Sequence, residues 1–145
     1  MADVKEVLPG TWLARVLDLK GNLAGLAIAT YTSDGGMIER VSGQLEGAIG
    51  AWEPVDDRDD KFRFVFYRYE HDLPGAPNPG DPTVINKLSA TCQMTDTNRF
   101  ACAITAEKLD KNGTLIKTQP PVHFRLESER MKIEPAQFAL ASLPS

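Results

Sequence analysis

Leu88-Ser89-Ala90-Thr91-Cys92-Gln93-Met94-Thr95-Asp96-Thr97-Asn98-Arg99-Phe100-Ala101-Cys102-Ala103-Ile104-Thr105-Ala106-Glu107 alternates along most of its length. Leu88, Ala90, Cys92 and Met94 share one parity before the break at Asp96-Thr97-Asn98; Phe100, Cys102, Ile104 and Ala106 share one after it. Between them stand Ser89, Thr91 and Gln93, then Thr105 and Glu107. A period of two marks strands, because successive side chains point to opposite faces. Centring the turn on Thr97 sets Cys92 opposite Cys102 and Met94 opposite Phe100. The result is an antiparallel hairpin with one wet and one dry face. Its dry face mixes bulky with small residues, and small inward residues leave space, which favours a cavity over a filled core.

Working outward, turn signals recur at Lys20-Gly21-Asn22, Ser33-Asp34-Gly35-Gly36, Asp56 to Asp60, Leu73 to Pro82 and Asp110 to Gly113. Runs rich in β-branched and aromatic residues separate them, the pattern of a sandwich or barrel. Strands are expected at Thr11 to Leu19, Ala24 to Thr32, Met37 to Ser42, Gly47 to Glu53, Lys61 to His71, Thr83 to Thr95, Arg99 to Leu109, and Thr114 to about Ile133. Pro120-Pro121 interrupts the last, since proline cannot donate to a ladder. The expected fold class is all-β, a single antiparallel up-and-down β-barrel of about eight strands.

Composition bounds the function. The 145 residues make one domain spanning 1–145, with short flexible ends at 1–9 and 135–145. A hydrophobic fraction of 42% with 25% charged residues describes a globular chain. A formal net charge of -4 without any Lys/Arg cluster argues against nucleic acid. No apolar run approaches the roughly 18 residues of a membrane span. Met1 to Pro9 is short and carries acidic residues, unlike a signal peptide, so a cytoplasmic location is expected. Cys92 and Cys102 are then expected as free thiols.

Gly10-Thr11-Trp12 heads the first strand, and Glu129-Arg130-Met131 ends the last. This pairing resembles the calycin barrels, lipocalins above all, and small bacterial barrel proteins that begin Gly-Thr-Trp. The resemblance covers most of the chain as a pattern. It implies that Trp12 packs at the closed end of the barrel against Arg130, and that the interior holds one small apolar molecule. Phe124, Leu126 and Arg130 share a parity, so Arg130 points inward if no bulge intervenes. The nearest look-alikes are allene oxide cyclase-like and dirigent-like barrels.

The candidate site follows from Lys61 to His71. Phe62, Phe64 and Phe66 line one face, which turns polar at Arg68 and Glu70. An apolar floor that becomes charged near an opening suits an amphiphilic ligand. Asn86 lies on the dry-face parity of the next strand, and the proline-rich loop Leu73 to Pro82 is read either as a semi-rigid lid or as a plain surface connection. Arg68 and Glu70 read equally as solvated rim charges. The opposite face, Tyr67, Tyr69 and His71, suits a homodimer interface.

Metal and cofactor signals are lacking in the sequence. His71 and His123 have no third ligand at metal spacing, and His123 is expected to face outward. Asp56-Asp57-Arg58-Asp59-Asp60 lacks the glycine and terminal glutamate of a calcium loop. No phosphate-cradling loop and no Ser/His/Asp context occurs. The expected function is cofactor-free binding of a small hydrophobic or amphiphilic molecule. Its walls would be Phe62, Phe64, Phe66, Leu88, Met94, Phe100 and Ile104, with Arg68, Glu70 and Asn86 orienting a polar end. The alternative is a cofactor-independent cyclase or isomerase in the same cavity, with Glu70 and Arg68 as the catalytic candidates.

Overall fold

The structure, a computed structural model, describes residues 3–43, 47–71 and 82–132, excluding the side chains of residues 70, 71, 82 and 83. Of the proposed lid at Leu73 to Pro82, all but the backbone of Pro82 lies outside the described residues, as do the chain beyond Lys132 and the side chain of Glu70. Eight antiparallel strands follow a four-residue helix: α1 Val4–Val7, β1 Gly10–Leu17, β2 Leu23–Tyr31, β3 Gly36–Val41, β4 Ala48–Pro54, β5 Lys61–His71, β6 Pro82–Asp96, β7 Arg99–Leu109 and β8 Val122–Arg130. Each pairs with its neighbour in the chain, and β1 pairs with β8, so the sheet closes into an up-and-down barrel. Closure removes every sheet edge.

The hairpin that opened the sequence reading has the expected register: Cys92 pairs with Cys102 and Met94 with Phe100. Elsewhere strands are shorter than expected where a side chain diverts the backbone. At the end of β1, Asp18 Oδ1 accepts the backbone N–H groups of Lys20 at 2.9 Å and Asn22 at 2.8 Å, turning the chain before Leu19. Asp110 repeats the device after β7, accepting from Asn112 and Thr114. The eighth strand begins only at Val122, because Pro120-Pro121 offers no N–H. Of the expected run from Thr114 to Pro121, a single bridge, Leu109 to Leu115, joins a strand.

The N-terminal stretch, read from sequence as a flexible end, instead plugs one end of the barrel. Asp3 caps α1 by accepting from Lys5 N, and Val4 N donates to Asp59 O at 2.9 Å in the β4–β5 turn. Val4 and Leu8 are fully buried. Above them Trp12, Tyr31, Phe62 and Phe100 meet edge to face, with Trp12 and Phe100 centroids 4.7 Å apart and Phe62 and Phe100 5.1 Å apart. Such geometry places ring edges on ring faces and adds to the burial of large apolar surfaces.

The free-thiol expectation is corrected: Cys92 and Cys102 form a disulfide inside the barrel. Their Cα atoms lie 4.1 Å apart, the close spacing of a non-hydrogen-bonded cross-strand pair, and both side chains point to the same buried face. The expectation rested on an inferred compartment, whereas the register itself brings the sulfurs together.

Candidate functional site

Arg130 seals the closed end. It pairs with Trp12 across β8 and β1, and its guanidinium carbon lies 4.4 Å from the indole centroid. Nη2 donates to Thr97 O at 3.0 Å and to Val7 O, Nη1 to Pro9 O at 3.3 Å, and Nε to Asn98 Oδ1 at 3.3 Å. Trp12 Nε1 donates to Leu8 O at 2.9 Å. One side chain thus ties the last strand to the N-terminal plug and to the β6–β7 turn. Gly10 sits at φ 135°, and a Cβ there would approach Arg130 Nη1 to 2.9 Å, so the glycine of Gly-Thr-Trp makes room for this arginine.

Above the seal lies a cavity of about 330 Å³. Ala14, Ala27 and Ala29 of β1 and β2 and Ala106 of β7 leave the space, facing Phe64, Phe66, Leu88 and Ile104. The stacked rings of Phe64 and Phe66, 5.7 Å apart, form one wall. The cavity rises toward Ala24, Gly25, Ser42, Lys108 and Val122, at the end opposite the plug.

A polar belt crosses the upper cavity. Glu39 pairs with Ala48 across β3 and β4; on the other side Arg68 pairs with Asn86, and Asn86 with Lys108. Ala48 is small, so Glu39 and Arg68 meet over it: Arg68 Nη2 donates to Glu39 Oε1 at 2.6 Å and Oε2 at 2.9 Å. Both side chains are more than nine-tenths buried. The Arg68 guanidinium also lies 5.5 Å from the Phe66 centroid. Burial pushes the Glu39 carboxyl above its usual range, and the attraction of Arg68 offsets this only in part. Tyr31, fully buried below, is likewise pushed up by burial first and by the negative Glu39 second.

Two buried polar atoms have no hydrogen-bond partner among the described residues: Arg68 Nε and Ser128 Oγ. Both residues line the cavity. Orphaned atoms of this kind are scarce in folded proteins and call for an explanation.

Of the residues singled out from sequence, Phe64, Phe66, Arg68, Asn86, Leu88 and Ile104 come together around the cavity. Phe62, Met94 and Phe100 are equally buried but lie below it, in the aromatic floor. Arg68 is an interior group rather than a rim charge, and its partner is Glu39. Glu39, Tyr31, Ser128 and Lys108 were missed. Glu39 shares parity with Met37 and Val41, but Ile38 on the other face hid which side goes in. His123 faces outward, with Nδ1 3.1 Å from Thr105 Oγ1. Tyr67 and Tyr69 are exposed on the outer wall.

The fold and site define a closed eight-stranded barrel with an internal cavity and a buried ion pair, an architecture compatible with the calycins. No family model matches the chain, and no curated protein matches it. Among the described residues, no helix is long and apolar enough to cross a membrane.

Proposed function

We propose that this barrel binds one small amphiphilic molecule in its interior, as a lipocalin-like carrier or receptor without a cofactor. The observation that carries this reading is the cavity itself, apolar below and crossed above by the buried Glu39–Arg68 pair. Its volume of about 330 Å³ stands at the lower end of the range for ligand sites, which points to a compact ligand. A buried ion pair contributes little to stability against an apolar replacement. Its presence on a cavity wall is therefore better explained by a ligand than by folding. The closure of Trp12 by Arg130 supports the likeness to lipocalins, and the disulfide favours an oxidising compartment over the cytoplasm.

The test fills the space. Ala27→Phe places a ring where β2 leaves room, and Phe64→Arg charges the opposite wall; 8-anilinonaphthalene-1-sulfonate reports occupancy by fluorescence. Stoichiometric binding to the native protein, lost in either folded variant, is the expected result. Binding that persists in both variants would place the ligand elsewhere.

The cyclase or isomerase reading draws on one observation, a carboxyl of raised pKa, Glu39, buried on the cavity wall, the kind of group that reactive sites collect. Glu39 takes the role that the sequence suggested for Glu70. Under this reading Glu39→Gln lowers turnover of a bound substrate while leaving its affinity within a few-fold; equal turnover would remove acid–base chemistry at this residue.

A further inference from the structure

Arg68 Nε and Ser128 Oγ lie at different depths of the cavity. Arg68 belongs to the upper belt with Asn86 and Lys108, whereas Ser128 pairs with Ala14 and Phe100, beside the sealed floor. Phe64, Leu88, Ile104 and Leu126 supply apolar wall between them. Glu39 places both carboxylate oxygens on Nη2 alone, leaving Nε without an acceptor. A charged acceptor is the strongest partner for the open edge of a guanidinium in such surroundings. At the other end, a hydroxyl buried beside the floor is satisfied by an oxygen and left unsatisfied by a methyl group.

We infer that the ligand is a short carboxylate carrying a hydroxyl or carbonyl oxygen at its far end, with the carboxylate at Arg68, the distal oxygen at Ser128 and an apolar body between. This deepens the binding function proposed above and rests on it. A plain fatty acid satisfies the belt and leaves Ser128 unpaired; a plain alcohol satisfies Ser128 and leaves Arg68 without a charged acceptor. Polarity at both ends fixes orientation and length together.

Calorimetry with four probes on the full-length protein separates the terms: octanoate, ω-hydroxyoctanoate, octanol and the octane-α,ω-diol. The hydroxy acid should bind about tenfold or more tightly than octanoate, the gain expected from one satisfied buried hydrogen bond. Ser128→Ala should erase that preference while leaving octanoate affinity unchanged. Arg68→Lys keeps the charge but removes the planar donor edge, and should weaken both acids relative to the two neutral probes. Equal binding of octanoate and the hydroxy acid by the native protein would overturn the distal site. Equal binding of octanoate and octanol would overturn the carboxylate. Either result leaves the cavity reading standing. Failure of all four probes together with the anilinonaphthalene dye would overturn that reading itself, and the two buried atoms would then be satisfied by water only.

Discussion

Replacing Arg130 with methionine isolates the seal at the closed end of the barrel. The substitution keeps an unbranched chain over Trp12 but removes the cation, 4.4 Å from the ring, and four donated hydrogen bonds. Loss of the cation–π attraction costs about 1–2 kcal/mol at a partly desolvated site. The acceptors Thr97 O and Asn98 Oδ1 are exposed and will be rehydrated, so they add little. Val7 O and Pro9 O are partly buried, and each stands to lose roughly 1 kcal/mol or more. The sum is about 3–5 kcal/mol, a large share of the roughly 5–15 kcal/mol that holds a domain together. For a chain of this size it lowers Tm by about 10 °C. Urea denaturation measures the total, and hydrogen exchange locates it: the Val4 and Leu8 amides, bonded to Asp59 O and Val4 O, should lose protection first. Arg130→Lys should recover only part of the loss, because an ammonium cannot reach four separated acceptors. A destabilisation under about 1 kcal/mol, with those amides unchanged, would refute the role assigned to Arg130.

Three further outcomes follow from the packing and the charges. Gly50→Ala should destabilise by about 1–3 kcal/mol in urea titration, because its Cβ would come within 2.1 Å of Val65 O and 2.5 Å of Phe66 Cβ; a neutral result would mean that β4 and β5 separate freely. Alkylation in denaturant should find no thiol before reduction and two after it, and reduction should lower stability by at most about 3 kcal/mol, the value for a loop this short; two thiols without reductant would break the assignment. Glu39 binds its proton more tightly in the fold than its ordinary value of 4.5 allows, so its contribution to stability is full below that value and is lost as pH rises through the raised pKa. The stability of the native protein relative to Glu39→Gln should therefore shrink from acid toward neutral pH; an advantage that grows would mean that Arg68 outweighs burial.

Parity carried much of the fold. The alternation from Leu88 to Ala106 specified a register that the ladder keeps, and the shared parity of Phe124, Leu126 and Arg130 brought the arginine to Trp12. Parity says which face a residue occupies and nothing of its depth. Phe62, Met94 and Phe100 were read as cavity walls for that reason, although they pack the floor. Glu39 was invisible because Met37-Ile38-Glu39-Arg40-Val41 offers apolar residues on both faces, and only the partner strands decide between them. The helix Val4–Val7 has too few residues for a periodic signal, and its stability comes from tertiary burial of Val4 and its contact with Asp59. The disulfide was misread because chemistry was inferred from location.

Followed from neighbour to neighbour, the pairing draws a single spiral up the inside of the barrel. It starts at Arg130, passes Trp12, Ala29, Glu39 and Ala48, crosses to Arg68 by the ion pair, and climbs through Asn86 to Lys108. Among the described residues, Arg130, the Glu39–Arg68 pair and Lys108 all sit on this one staircase. Slipping any strand by two residues would keep each side chain on its proper face and would satisfy every rule of alternation. It would also break the staircase at that strand and carry the upper charges away from the lower ones. Height and bearing are therefore locked together, and a molecule that touches successive landings must lie obliquely across the barrel rather than along its axis.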